Sequence, residues 1–260
     1  MILDRILEEK QKEVNRLIEE SSETQLRKLS RAFPRSRRLS QALTLGSKPR
    51  IIAEVKRASP SEGPIDPDAK ARQVAAEYRK GGAAAISVLT DRPFFHGCFE
   101  DLEEVKTAVD LPVLCKDFFI HEIQVLHAAA RGADAILLIA AILDQGRLKA
   151  LFKMTHELGM EALVEVRDRQ ELQKALALDP TLIGINNRNL KTMNVNIETT
   201  LDLAKEVKPE TILISESGIS SHHDLRLLAG AGIRAFLIGT SLMRSSDRAQ
   251  AVRNLIEGTL

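Results

Sequence analysis

Short apolar runs punctuate the chain from residue 51 onward, and after each one the apolar residues recur at helical spacing. The runs cover 51–56, 84–89, 112–117, 135–140, 161–166, 182–187, 211–217 and 235–240; aliphatic and β-branched residues fill them, and polar residues follow. Their starts lie 21–33 residues apart, the length of one strand plus one helix with their connections. The segment 68–80 places Ala71, Val74, Ala75 and Tyr78 on one helical face and stops at Gly81-Gly82, while 122–131 stops at Gly132 and 145–158 at Gly159. The phrase Gly-Ala-Asp-Ala-Ile-Leu-Leu-Ile at 132–139 has relatives at 81–88 and 231–238, so one helix-stop-then-strand junction recurs. Eight such units in about 200 residues predict an α/β fold of the (β/α)8 TIM-barrel type over an open doubly wound sheet.

Residues 1–50 break the pattern. Ile2, Leu3, Ile6, Leu7, Val14, Leu17 and Ile18 form a helical stripe on a highly charged background, and 35–45 is basic and then helical. An amphipathic stripe must be buried somewhere, so residues 1–50 are expected to form an N-terminal helical extension packed on a catalytic barrel of residues 51–260. The chain ends soon after the eighth unit, so no second barrel is expected within it.

Composition narrows the possible partners. The 260 residues are 44% apolar and 28% charged, with a formal net charge of +1, which offers no basic surface for nucleic acid. No apolar run approaches the roughly 18–20 residues that span a bilayer, and the opening residues lack a signal-peptide core. The expected location is the cytoplasm, as a monomer or weak homodimer acting on a small molecule. Cys98 and Cys115 match no metal spacing and read as reduced packing residues. The six histidines form no cluster, and no HExxH, GxGxxG or Walker sequence is present, so neither a metal nor a nucleotide cofactor is expected.

Candidate chemistry sits where barrel strands end, the face on which such folds carry their sites. Alternation places Ile52, Glu54 and Lys56 on one face of the first strand. The third run ends in Lys116-Asp117-Phe118, the fifth contains Glu165, the sixth ends in Asn186-Asn187-Arg188 and the seventh in Glu216-Ser217-Gly218. Any one of these charges reads equally well as a rim ion pair. Two lysines and three glutamates from four strands, all at one end, do not, because burying unpaired charge costs several kcal/mol. Small residues at 216–220 and 238–242, after the seventh and eighth runs, suit backbone N–H groups that approach a phosphate, with Ser217, Gly218, Gly239 and Thr240 as the candidates. The turn-rich loop 57–64 reads either as a mobile lid or as an ordinary surface loop.

In this order these residues resemble the indole-3-glycerol phosphate synthase family. The resemblance covers essentially the whole chain and is carried by Ile52-Ala53-Glu54-Val55-Lys56-Arg57-Ala58-Ser59-Pro60-Ser61, Leu114-Cys115-Lys116-Asp117-Phe118, Gly184-Ile185-Asn186-Asn187-Arg188-Asn189-Leu190 and Glu216-Ser217-Gly218-Ile219. It implies ring closure on 1-(2-carboxyphenylamino)-1-deoxyribulose 5-phosphate with loss of CO2 and water and no cofactor. It implies Lys116 as general acid, with its pKa lowered by a cation such as Lys56. Glu54, Glu165 and Glu216 would supply carboxylates, Glu165 serving in dehydration with Glu54 also plausible. Lys56 would hold the substrate carboxylate, Asn186 the hydroxyls, and Arg188 would support the site through ion pairing. Ser59 would line the lid, and Phe95 and Phe118 would wall the aromatic ring. The family's extra N-terminal helices partly cover the top of the barrel.

The chain departs from family variants at Ala58, where some carry a basic residue, at Thr240, often Ser, and at Leu39, commonly aromatic. A phosphoribosylanthranilate isomerase-like enzyme would need neither the five charges nor the extension. A Schiff-base aldolase using Lys116 and a non-catalytic phosphate-binding barrel are the remaining alternatives.

Overall fold

In the computed structural model the described residues are 2–33, 36–189 and 194–258. Eight parallel strands close a barrel: β1 (Arg50–Val55), β2 (Ala85–Leu89), β3 (Val113–Lys116), β4 (Ala135–Ile139), β5 (Glu161–Val166), β6 (Leu182–Asn186), β7 (Ile212–Glu216) and β8 (Ala235–Ile238). Neighbours in sequence are neighbours in the barrel, and β1 closes on β8 through the register Ile51↔Phe236 and Ala53↔Ile238. All eight predicted runs are strands. Each strand ends within the predicted run, however, so Lys56, Asp117, Asn187 and Ser217 lie just past their strands. Thr240 is corrected from strand to the first residue of a four-residue helix, Thr240–Met243.

The alternation of side chains divides the core in two. Ile52, Leu114, Leu137, Leu163, Ile214 and Leu237 fill the barrel interior, whereas Ile51, Ala53, Val55 and Tyr78 pack between strands and surrounding helices. The predicted helical face of Ala71, Val74, Ala75 and Tyr78 is fully buried in the helix Ala71–Gly81. The predicted helix stops Gly82, Gly132 and Gly159 all take positive φ.

Among the described residues the N-terminal stretch forms three helices: α1 (Ile2–Glu20), α2 (Glu23–Ser30) and α3 (Leu39–Thr44). Arg35, the first residue of the predicted 35–45 stretch, lies outside the described residues. The helices reach different parts of the barrel. The α3 helix closes the end opposite the strand C-termini: its Leu39 and Leu43 join the interior core, and Ser40 Oγ donates to Glu161 at the start of β5 at 2.5 Å. Leu39 is fully buried there without an aromatic ring. The α2 helix was not predicted. It places Leu26 against Leu126 of the helix Glu122–Ala130, too little periodic signal in eight residues to read from sequence. The α1 helix lies at the mouth, with Ile2, Leu3 and Ile6 lining the cavity there.

The buried stripe of α1 runs Ile6, Lys10, Val14, so a lysine occupies the middle of an apolar face. Lys10 is 1% exposed; its Nζ lies 2.7 Å from Asp117 Oδ1, 3.2 Å from Asp91 Oδ2 and 2.8 Å from Glu13 Oε2. Burial alone favours the neutral amine, but Asp117, Glu13 and Asp91 together hold it charged, well above the usual lysine range. Asp117 also accepts from Thr90 Oγ1 at 2.5 Å and Phe118 N at 2.7 Å, and Asp91 caps the short helix Arg92–Phe95. One ammonium thus joins α1 to the loops after β2 and β3. Replacing Lys10 by Met should strand two buried carboxylates and lower stability by about 3–5 kcal/mol. Urea unfolding checks this, and Lys10→Met/Asp117→Asn should lose less than Lys10→Met alone.

Candidate active site

A cavity of about 420 Å³ opens at the C-terminal ends of the strands. Every residue singled out from the sequence lines it: Glu54, Lys56, Ser59, Phe95, Lys116, Phe118, Glu165, Asn186, Arg188, Glu216, Ser217, Gly218, Gly239 and Thr240.

At its floor Glu54 bridges the two lysines. Its Oε1 lies 3.2 Å from Lys56 Nζ and its Oε2 3.2 Å from Lys116 Nζ, with Glu54 3% exposed and the lysines 15% and 18%. Burial raises the pKa of Glu54, but Lys116 and Lys56 outweigh it and hold the carboxyl below its ordinary value. The expectation that Lys56 lowers the pKa of Lys116 is overturned. Burial does favour the neutral amine, yet Glu54, Glu216 and Glu165 raise the pKa of Lys116 above the usual lysine range, and the carboxylate between the lysines offsets their repulsion.

The other two carboxyls have no such bridge. Glu165 is raised by burial, offset in part by Lys116 and by a hydrogen bond with Asn186. Glu216 is 1% exposed, and the neighbouring Glu165 carboxyl aside, neither of its carboxyl oxygens has a hydrogen-bond partner among the described residues. Burial first, and the adjacent Glu165 second, push its pKa well above the ordinary carboxylate value.

The rim is built from loops. Ser217 and Gly218 take consecutive left-handed conformations, φ 63° and 77°, and Asn187 fixes this turn by donating to Ser217 O and Ser215 Oγ, each at 3.0 Å. Gly239 precedes the helix that Thr240 opens. The rings of Phe95 and Phe118 stand 6.1 Å apart, centroid to centroid, at a 37° tilt. The 57–64 loop contains a two-stranded ribbon, Ala58–Ser59 with Gly63–Pro64. Ser59 Oγ accepts from Glu62 N at 3.2 Å, and Glu62 reaches across to Arg244 at 2.9 Å and Arg188 at 4.0 Å.

Sequence reasoning missed several lining groups. Glu62 and Arg244 lie within or beside the segments already noted, but nothing in their spacing pairs them. Ile2, Leu3 and Ile6 belonged to the predicted stripe without a predicted target. Among the described residues no group of three or more His, Cys, Asp or Glu side chains is arranged to hold a metal ion.

A closed parallel barrel with a buried set of acids and bases at its C-terminal mouth defines a (β/α)8-barrel enzyme. The family model for indole-3-glycerol phosphate synthase matches residues 3–255, and the chain belongs to that family of lyases. It is 47% identical over 256 residues to the indole-3-glycerol phosphate synthase of Desulfotalea psychrophila, covering 98% of each chain. It is 41% identical over 257 residues to that of Desulforamulus reducens, covering 98% of this chain and 97% of the relative. For the Crocosphaera subtropica protein of the same name the identity is 45% over 261 residues, with 98% and 89% covered.

Among solved structures, 3-hexulose-6-phosphate synthase from Salmonella typhimurium superposes with a TM-score of 0.64 at 12% identity, covering 80% of this chain and 97% of that one. That likeness shows the fold alone. The family assignment does not favour the isomerase-like or non-catalytic alternatives.

The raised pKa of Glu216 has a consequence for stability. Its contribution is intact below the unfolded value of about 4.3 and is lost as pH rises toward the folded value. Glu216→Gln should therefore gain stability relative to the parent as pH rises above the unfolded value of about 4.3, an effect readable from paired thermal melts at a series of pH values.

Proposed function

We propose that the chain closes the indole ring of 1-(2-carboxyphenylamino)-1-deoxyribulose 5-phosphate, releasing CO2 and water, with Lys116 as general acid. The observation that carries this reading is the Glu54 bridge, which keeps Lys116 protonated and aimed into the cavity at neutral pH. A charged ammonium can donate to the ketone as the ring carbon attacks it. The ring's own iminium then takes the electrons released by decarboxylation, so no cofactor enters the scheme.

The remaining roles follow from position. Phe95 and Phe118 flank the aromatic ring, and Lys56 holds its carboxylate beside Glu54. Glu165, whose burial favours the neutral acid and whose partner Lys116 favours the anion, exchanges protons in dehydration, with Glu54 as the other plausible group. Asn186 binds substrate hydroxyls, while Arg188, steadied near Glu62, supports the site. Successive left-handed residues at Ser217 and Gly218, with Gly239 and Thr240 opposite, supply N–H groups for the phosphate. Ser59 lines the ribbon over the cavity.

On this reading residues 1–50 are an extension packed on a catalytic barrel of residues 51–260. The enzyme serves tryptophan biosynthesis in the cytoplasm as a monomer or weak homodimer, without nucleic-acid or membrane partners. The family assignment supports the pathway, and no helix among the described residues is long and apolar enough to cross a membrane.

Lys116→Met should lower turnover by at least about 100-fold, since a general acid contributes roughly 10²–10⁴-fold, while the fold and phosphate binding persist. The appearance of indole fluorescence on adding substrate provides the assay. Turnover within about tenfold of the parent would exclude Lys116 as the acid.

A further inference from the structure

Interior positions of a barrel are ordinarily filled by large side chains, and here two of them at the catalytic end are glycine. Gly184 of β6 lies in register with Glu165 of β5 and Ile214 of β7, and its open side faces Leu163 inside the barrel. The missing side chain leaves a space, and the Glu216 carboxyl from the adjacent strand occupies it. A Cβ at Gly184 would overlap Glu216 Oε1 and stand 3.2 Å from its Cδ. Gly239, after β8, is built the same way toward Glu54 of the neighbouring β1: a Cβ there would overlap Glu54 Oε1.

The two seats differ in what surrounds the carboxyl. Glu54 meets two ammonium groups, while Glu216 faces Glu165 from β5, Lys116 from β3 and Glu54 from β1. Glu165 in turn faces Lys116, Asn186, Arg167 and Glu171. Lys116 is engaged by Glu54 at 3.2 Å, and among the described residues only the Glu165 carboxyl is within hydrogen-bonding reach of Glu216. Two carboxyls side by side in a buried site oppose each other's ionisation, so the pair favours keeping one proton.

We propose that Gly184 is a positioning residue that seats Glu216 beside Glu165, so that the two carboxyls hold one proton between them, on Glu216, and leave Glu165 as the anionic base. The assignment rests on the reading of Glu165 as the acid/base group. It also explains how a site with three glutamates and two lysines avoids a buried net negative charge before an anionic substrate arrives. The carboxyl is the far end of a flexible side chain on the cavity wall, so an added methyl group displaces Glu216 into the cavity and spares the backbone.

Gly184→Ala should lower kcat by about 100-fold, the scale of a 1 Å misplacement, with a smaller effect on KM. Glu216→Asp retracts the carboxyl by one methylene, so Gly184→Ala/Glu216→Asp should recover at least about tenfold of that loss. The protonation state is read without substrate, by isotope-edited infrared spectroscopy of glutamate-labelled protein. A protonated-carboxyl band should be present at neutral pH in the parent, absent in Glu216→Gln, and diminished in Gly184→Ala.

Parent-like kcat in Gly184→Ala, or a double variant no faster than the single, would overturn the positioning role. A missing band in the parent would overturn the shared proton even if Gly184→Ala fails to fold. Failure of the ring-closure reading appears separately, as absence of turnover in a parent enzyme that still shows the band.

Discussion

The catalytic end of this barrel depends on one carboxylate held between two ammonium groups. Glu54 sits 3.2 Å from both Lys56 and Lys116, almost wholly out of water. Without it two lysines would face one cavity with nothing to offset their repulsion, and burial would drive at least one to its neutral form. With it Lys116 stays charged. The choice decides the chemistry available: a neutral Lys116 would be a base or a nucleophile, whereas a charged one donates a proton.

The same economy of charge extends across the floor. Five ionisable groups project from four strands, and only an equal number of positive and negative charges can be buried without a large desolvation penalty. The proton that we propose Glu216 holds provides that equality. Position follows from steric rules as simple as the electrostatic ones. A (β/α)8 interior is packed by side chains from alternate strands, and a long acidic side chain gains room there where its neighbour lacks a Cβ. Gly184 and Gly239 are those neighbours.

Much of this was legible in the sequence, because hydrophobic periodicity is a local property. The eight strands, the helix stops at Gly82, Gly132 and Gly159, and the gathering of charges at one end all follow from residues close together along the chain. Strand ends were overrun by one or two residues, as at Thr240, because a β-favourable composition continues past the last barrel pairing. What required three dimensions was the partner of each charge. Lys56 and Lys116 invite the idea of mutual repulsion when only their types are known; the carboxylate between them reverses the conclusion about Lys116. Lys10 was passed over for a related reason. Its place four residues after Ile6 and four before Val14 marks it as buried, but Asp91 and Asp117 lie far off in sequence.

That lysine also explains why the N-terminal helix belongs with the chemistry. Asp117 follows Lys116 directly, so an ion pair from α1 to Asp117 constrains the backbone on which the proton donor stands. Asp91, the second partner, caps the short helix that carries Phe95, and Phe95 faces Phe118 one residue beyond Asp117. A proton donor and both aromatic walls are thereby referred to a single buried ammonium. Apolar packing by Ile6 and Val14 alone would hold α1 on the barrel, but it would tolerate sliding. A charge held by two buried carboxylates of the barrel loops, at 2.7 and 3.2 Å, would not, since any shift leaves one of them desolvated and unpaired.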